Sequence, residues 1–377
     1  MKRILPALLA ALLLILPARA VTGAPEVNAP SVLLMEKTTG TVLYEQDAHT
    51  KYEPASVTKI MTLLLTFEAL AGGLIALDQT VTVSAHATSM GGSQIWLKEN
   101  EQITVHELIK AVAVASANDC AVALGELIAG SESAFVERMN ERAAQLGMAD
   151  TAFQNCTGLP AAGHLTTAYD IALMSRELIL HHPDIRNYTT IWMDTLRDGA
   201  FQLSNTNKLI RYYDGATGLK TGSTDSALYC LSATAERDGM ELIAVVLHAA
   251  TSDARFETAK SLLNFGFANY TLFTVQPAQA LPPVEVILGK TEVVQPVLSQ
   301  TTTVLLEKTQ ASKAQQSVTL AESVEAPVEP GQTLGELTVT VDGSTVASVP
   351  LVAAHPVERL TVSDIFLHLL EALLCRG

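Results

Sequence analysis

The order in which two hydrophobic periodicities alternate along this chain most constrains its fold. Strand-like patterns stand at both ends of a helical block. Val32, Leu33, Leu34 and Met35 run to Thr39-Gly40, and Thr41, Val42, Leu43 and Tyr44 return. That predicts a β-hairpin over Ser31 to Glu45. Pro54 precedes a helical run from Ile60 to Leu70, which Gly72-Gly73 stops. Between about 105 and 182 apolar residues recur at helical spacing. The sets are Leu108, Ile109, Val112 and Ala115; Phe135, Met139, Ala143 and Leu146; and Ile171, Met174, Leu178 and Ile179, ended by Pro183. Strands return over Ala227 to Ala235 and Met240 to His248, around an Asp238-Gly239 turn signal. A last helix of this block begins near Ser252, with Phe256, Ala259, Leu262 and Leu263 on one face. The pattern predicts an α+β (α/β) domain over 21–273, an antiparallel sheet covered by helices.

Both ends add something different. Lys2 and Arg3, the apolar run from Ile4 to Pro17, and Ala18-Arg19-Ala20 predict a signal peptide over 1–20. The run is shorter than a membrane span requires. The expected destination is therefore outside the cytoplasm, at the outer face of the cytoplasmic membrane, in the periplasm or in the cell wall space. From 274 to 356 the chain turns rich in Val, Thr, Leu and Pro, and Leu337 to Val341 precedes an Asp342-Gly343 turn. This predicts a small all-β domain with a spacing or binding role. Segment 357–377 predicts an amphipathic helix. Thr361, Asp364, His368 and Glu371 form a polar stripe, and Leu360, Ile365, Phe366, Leu369, Leu370, Leu373 and Leu374 fill the rest. Such a helix suits a membrane interface, although only Arg359 and Arg376 supply nearby positive charge.

A net charge of −15 argues against a nucleic-acid partner. Cys120, Cys156, Cys230 and Cys375 show no metal-ligand spacing. Export permits a disulfide among them, but buried free thiols are the expected state.

Three short polar motifs carry the chemistry: Ser56-Val57-Thr58-Lys59, Ser116-Ala117-Asn118 and Lys220-Thr221-Gly222. A serine hydroxyl is a weak nucleophile until a base takes its proton. Residues three apart on a helix share a face, so Lys59 can place its amine beside Ser56. The amine is a base only when neutral, which needs desolvation or a like charge such as Lys220. Backbone N–H groups at the helix start, with that of Ser223, can hold an oxyanion, and Gly222 permits close approach. Ser116 can relay a proton to a leaving group. Asn118 can hold a peptide carbonyl, and Lys220 and Thr221 an anionic substrate end. Arg255 can clamp a carboxylate. Each motif alone is common. Their order, with spacings of 60 and 104 residues between Ser56, Ser116 and Lys220, is what makes them specific.

On these residues the chain resembles the D-alanyl-D-alanine carboxypeptidases among the low-molecular-mass penicillin-binding proteins. Further likeness lies in Pro54 to Thr62, Ser116 to Asp119, Gly163 to Ala168, Asn205 to Lys208 and Gly218 to Thr224. The resemblance implies a serine β-lactamase/penicillin-binding transpeptidase-like domain. It implies Ser56 as nucleophile, Lys59 as base, Ser116 in proton relay, and Asn118, Lys220, Thr221, Gly222, Ser223 and Arg255 in substrate binding. The implied partners are peptidoglycan stem peptides and β-lactams, with no metal or cofactor. Leu228 departs from the family pattern, which often has glycine there. A class A β-lactamase needs a deacylating glutamate, and no Glu-x-x-x-Asn lies between Asn118 and Lys220. A transpeptidase and a non-catalytic binder are the remaining rivals.

Overall fold

The computed structural model describes residues 23–374. The expected signal peptide and Cys375 lie outside these residues. Strands β1 (Ser31–Glu36) and β2 (Val42–Gln46) form the first hairpin. The helical block contributes α1 (Lys59–Ala71), α2 (Val105–Ala115), α3 (Asn118–Ala129), α4 (Glu132–Gln145) and α5 (Ala168–His181). Strands β3 (Ala216–Thr224), β4 (Leu228–Arg237) and β5 (Met240–Ala249) follow, then α6 (Ser252–Asn269).

One antiparallel sheet of order β2-β1-β5-β4-β3 joins the two ends of this region. β1 pairs with β5, Leu33 opposite Val245, although some 210 residues intervene. Alternation along the strands sorts the two faces. Leu33, Met35, Ile243, Val245 and Leu247 join the core under the helical block. Val32, Leu34, Leu231, Leu242 and Val246 join the core under α6. The sheet is thus sandwiched between layers, and its central strands are apolar on both faces. The β4–β5 turn places Asp238 at φ 50° and Gly239 at φ 76°, the left-handed pair that a two-residue hairpin demands.

Helix ends follow their capping residues. Thr104 and Glu107 form a capping box on α2, and Thr167 caps α5 through the Asp170 N–H. Gly72 caps the C-terminal end of α1. From Tyr270 to Ala353 the chain is built mainly of strands, with one helical turn at Lys308–Ala311. The strands form a two-stranded pair (Tyr270–Val275 with Thr302–Glu307), a three-stranded sheet and a four-stranded sheet. Two small cores fill this region, one around Val286, Val328 and Leu334, the other around Leu337, Val339 and Leu351.

Helix α7 (Val362–Leu374) ends the described chain, with Thr361 and Asp364 bonding reciprocally at its start. Val362, Phe366, Leu367 and Leu374 are exposed. The side chains of His368 and Glu371, half of the expected polar stripe, are outside the described set. Among the described residues, no helix is long and apolar enough to cross a membrane. Cys120, Cys156 and Cys230 are buried free thiols, as expected.

Candidate active site

The first motif sits on a strained turn. Ala55 to Thr58 form a 3-10 turn that runs straight into α1, and Ala55 has φ 47°, in the left-handed region. Such a conformation in a non-glycine residue persists only when its surroundings enforce it. Gly158 leaves room for the turn: a Cβ on it would lie 1.8 Å from the Ala55 carbonyl oxygen. Asn155 shapes that loop by accepting from Thr157 N, Thr157 Oγ1 and Gly158 N. The turn presents Ser56 to Lys59, whose Nζ is 3.0 Å from Ser56 Oγ and donates to the Thr157 carbonyl at 2.6 Å.

Lys59 is wholly buried. Burial lowers its pKa to about 7, against the opposing pull of Cys156, Asp119 and Cys120. The sequence argument gave Lys220 a share in this lowering; desolvation is the leading cause, and the like-charge pressure of Lys59 falls on Lys220 instead. Lys220 is also pushed well below the usual lysine range, by burial first and then by Lys59 and Arg255.

The second motif is the break between α2 and α3. Ser116 closes α2 at φ 63°, and Asn118 opens α3. Ser116 Oγ and Asn118 Oδ1 are buried without a hydrogen-bond partner among the described residues. Orphaned buried polar atoms are costly, so a pair of them facing one site marks where ligand atoms belong. Asn118 is itself held: its backbone N–H donates to the Ser93 carbonyl and its Nδ2 to the Gly91 carbonyl. Beside it, buried Asp119 accepts from the backbone N–H groups of Ile95, Leu97 and Cys120.

The third motif lies on the edge strand β3. Lys220 Nζ donates to the Thr221 carbonyl at 2.9 Å, and Thr221 Oγ1 to Thr206 Oγ1 at 2.7 Å. A Cβ on Gly222 would meet Pro54 O, Ser56 N and Val57 N at 2.8, 2.9 and 3.0 Å. Glycine is therefore what lets β3 lie against the nucleophile turn. Ser223 next to it is exposed.

Arg255 is buried, with its pKa lowered to about 10 by burial. Its Nη1 donates to the carbonyls of Gly222 and Cys230, and its Nη2 to Ser252 Oγ. The guanidinium is thus engaged with β3 and β4 in this structure. Leu228 has φ 52°, which explains why glycine suits that position.

The three motifs converge on one site, with residues that sequence reasoning left without a role. Thr157, Gly158 and Asn155 complete the nucleophile turn. Thr206 supports Thr221, and Asn207 Nδ2 donates to the Gly218 carbonyl on β3. His164 accepts from the Gln154 N–H at Nδ1, which leaves Nε2 to donate to Thr58 Oγ1 at 2.8 Å. Asn155-x-Thr157-Gly158 reads as a turn, but nothing local says that it touches Ser56. Among the described residues, no cluster of His, Cys, Asp or Glu could hold a metal ion.

A buried Ser–Lys pair, an interhelical Ser-x-Asn and an edge-strand Lys-Thr-Gly form a candidate serine acyl-transfer site on a helix-covered antiparallel sheet. The family model described as D-alanyl-D-alanine carboxypeptidase matches residues 18–251, and that of the penicillin-binding protein 5 C-terminal domain matches 271–359. The chain is 40% identical to the D-alanyl-D-alanine carboxypeptidase DacF of Bacillus subtilis, over 88% of this chain and 86% of that protein. It is 33% identical to DacC of Escherichia coli, over 89% and 86%. A crystal structure of penicillin-binding protein 5 from Haemophilus influenzae superposes with a TM-score of 0.76 at 29% identity, covering 89% of this chain and 99% of that one. The chain belongs to the D-alanyl-D-alanine carboxypeptidase family, and it is a serine-type peptidase of the penicillin-binding class.

Proposed function

We propose that Ser56 removes the terminal D-alanine from peptidoglycan stem pentapeptides through an acyl-enzyme. The observation that carries this reading is Lys59: a fully buried amine, lowered to about 7, with Nζ 3.0 Å from the hydroxyl it must deprotonate. In its neutral form Lys59 accepts the Ser56 proton as Oγ attacks the carbonyl carbon of the penultimate D-alanine. The carbonyl electron pair moves to oxygen. The N–H groups of Ser56 and Ser223 donate hydrogen bonds to that oxyanion, a role supported by the packing of Gly222 against Ser56 N. As the oxyanion pair re-forms the carbonyl, the C–N bond breaks, and the proton held by Lys59 passes through Ser116 Oγ to the D-alanine nitrogen, leaving Lys59 neutral to take a proton from the water of the next step. Water attacks the ester and regenerates Ser56. Asn118 Oδ1 and Nδ2 flank the donor peptide, while Lys220, Thr221 and Arg255 bind its anionic end. β-Lactams acylate the same hydroxyl.

This reading extends to location and layout. Residues 1–20 direct export, 21–273 carry the catalysis, 274–356 act as a spacer or binding unit, and 357–377 meet the membrane surface. The exposed apolar residues of α7 and the basic, then apolar, start of the chain support this.

The deciding experiment incubates protein lacking residues 1–20 with a peptide ending in Lys-D-Ala-D-Ala and measures free D-alanine. Catalytic release that Ser56→Ala abolishes, at an unchanged melting temperature, supports the reading. A folded wild type that releases none overturns it in favour of a transpeptidase needing an amine acceptor, or of a binder.

A further inference from the structure

The segment that hydrogen-bonds the second motif carries an aromatic residue whose position is enforced. Trp96 is 67% exposed, an unfavourable state for the largest apolar ring. Its φ is 52°, a left-handed value that bulky residues rarely adopt. Four contacts hold the backbone there. From below, Asp119 Oδ2 accepts from the N–H groups flanking the ring, Ile95 at 3.2 Å and Leu97 at 3.0 Å. From above, Arg197 donates to the carbonyls of Ile95 at 3.0 Å and Trp96 at 3.4 Å. Arg197 is itself locked by both oxygens of Glu101. The clamp keeps the ring outside. Its edge contact is Phe201, with centroids 5.9 Å apart.

This two-ring platform is tied to both sides of the site. On one side, Asp119 adjoins Asn118, whose N–H donates to the carbonyl of Ser93 in the same segment as Trp96. On the other, Phe201 opens the strand Phe201–Ser204, which leads directly to Thr206 and so to Thr221. The chain is only 5% aromatic and has two tryptophans. The second, Trp192, accepts from the Asn205 N–H in the segment beside Thr206. An open, rigidly held ring on a segment bonded to Asn118 suits an apolar, extended partner.

We propose that the Trp96 ring, backed by Phe201, receives the long side chain of the residue that precedes the D-alanyl-D-alanine unit, and so sets acyl-donor specificity. Ser116 and Asn118 have buried polar atoms left for the donor backbone. The aliphatic stem of a diamino acid next in line then has Trp96 to lie on. This inference rests on the carboxypeptidase reading above.

Wild-type kcat/KM is measured on two acylated peptides, one ending in Lys-D-Ala-D-Ala and one in Gly-D-Ala-D-Ala. Absence of D-alanine release by wild type overturns the underlying reading rather than the platform. Given release, Trp96→Ala is expected to lose roughly tenfold on the lysine peptide, the scale of a few methylenes uncovered, and less than twofold on the glycine peptide. Trp96→Phe is expected to restore most of the loss. Equal loss on both peptides, or none on either, overturns the platform. A second measurement does not depend on Trp96→Ala folding. Trp192→Phe leaves Trp96 as the sole tryptophan, and its emission should shift to the blue with saturating lysine peptide but not with glycine peptide. Unchanged emission overturns the proposal.

Discussion

Lys59 illustrates how a single residue takes its chemistry from burial. A lysine in water stays charged at neutral pH, and it cannot accept a proton until desolvation makes the neutral form accessible. The sign of the pH dependence follows. Below about 7 Lys59 is protonated, and in the proposed mechanism Ser56 then has no base. kcat/KM for D-alanine release should therefore rise with pH on an acid limb centred near 7, since kcat/KM reports the free enzyme. A limb near 4 or near 10 would remove Lys59 from the base role. His164 gives a second residue-scale test. Burial lowers its pKa from 6.5 to about 4. Between those values the unfolded chain binds more protons than the folded one, so its contribution to stability is present above 6.5 and lost as pH falls through 4. The melting temperature should drop over that window, and His164→Gln should flatten the drop.

At the scale of elements, the site is a set of contacts between a turn, a helix break and an edge strand. Two glycines permit them. Gly158, at φ 83°, faces the Ala55 carbonyl. Gly158→Ala adds both a left-handed alanine and a clash, and should destabilise by about 2 kcal/mol or more. Because Ser56 follows Ala55, kcat/KM should fall about 10²-fold, the usual cost of a 1 Å misplacement. Thermal melting and D-alanine release measured together check this, and a variant with wild-type rate would detach the Asn155–Gly158 loop from the nucleophile. Leu228 tests the reverse case. Its left-handed φ of 52° costs about 1–2 kcal/mol, so Leu228→Gly should leave stability equal to or above that of wild type in a chemical denaturation curve.

Across the whole molecule, one sheet is assembled from the two ends of the first two-thirds of the chain. β1 pairs with β5 and carries β2, while β3 supplies the third motif at the opposite edge. The strand-rich region then separates this unit in sequence from α7. Exposed Val362, Phe366, Leu367 and Leu374 on a terminal helix make a surface that water disfavours. Protein lacking residues 1–20 should co-sediment with zwitterionic lipid vesicles, and a chain ending at Arg359 should stay in the supernatant while keeping its D-alanine release. Equal sedimentation of both would assign the contact elsewhere.

Much of this was legible from sequence, because local patterns report local structure. The hairpin over Ser31 to Glu45, the helices ended by Gly72 and Pro183, the Asp238-Gly239 turn and the β-rich region after Thr274 all follow from periodicity and turn chemistry. Three polar motifs in order were enough to bring Ser56, Lys59, Ser116, Asn118 and Lys220 under one hypothesis. What needed the tertiary structure was everything that depends on distant chain segments meeting. Desolvation, rather than Lys220, lowers Lys59, because burial is a property of the packed core. Arg255 turns to the Gly222 and Cys230 carbonyls, because two strands happen to run beneath α6. Gly158 leaves room for Ala55 from about a hundred residues away, and Asp119 and Arg197 close on Trp96 from opposite sides. Sequence determines which groups are available and which segments are regular; the three-dimensional meeting of those segments decides dielectric, strain and orientation, and with them which groups act.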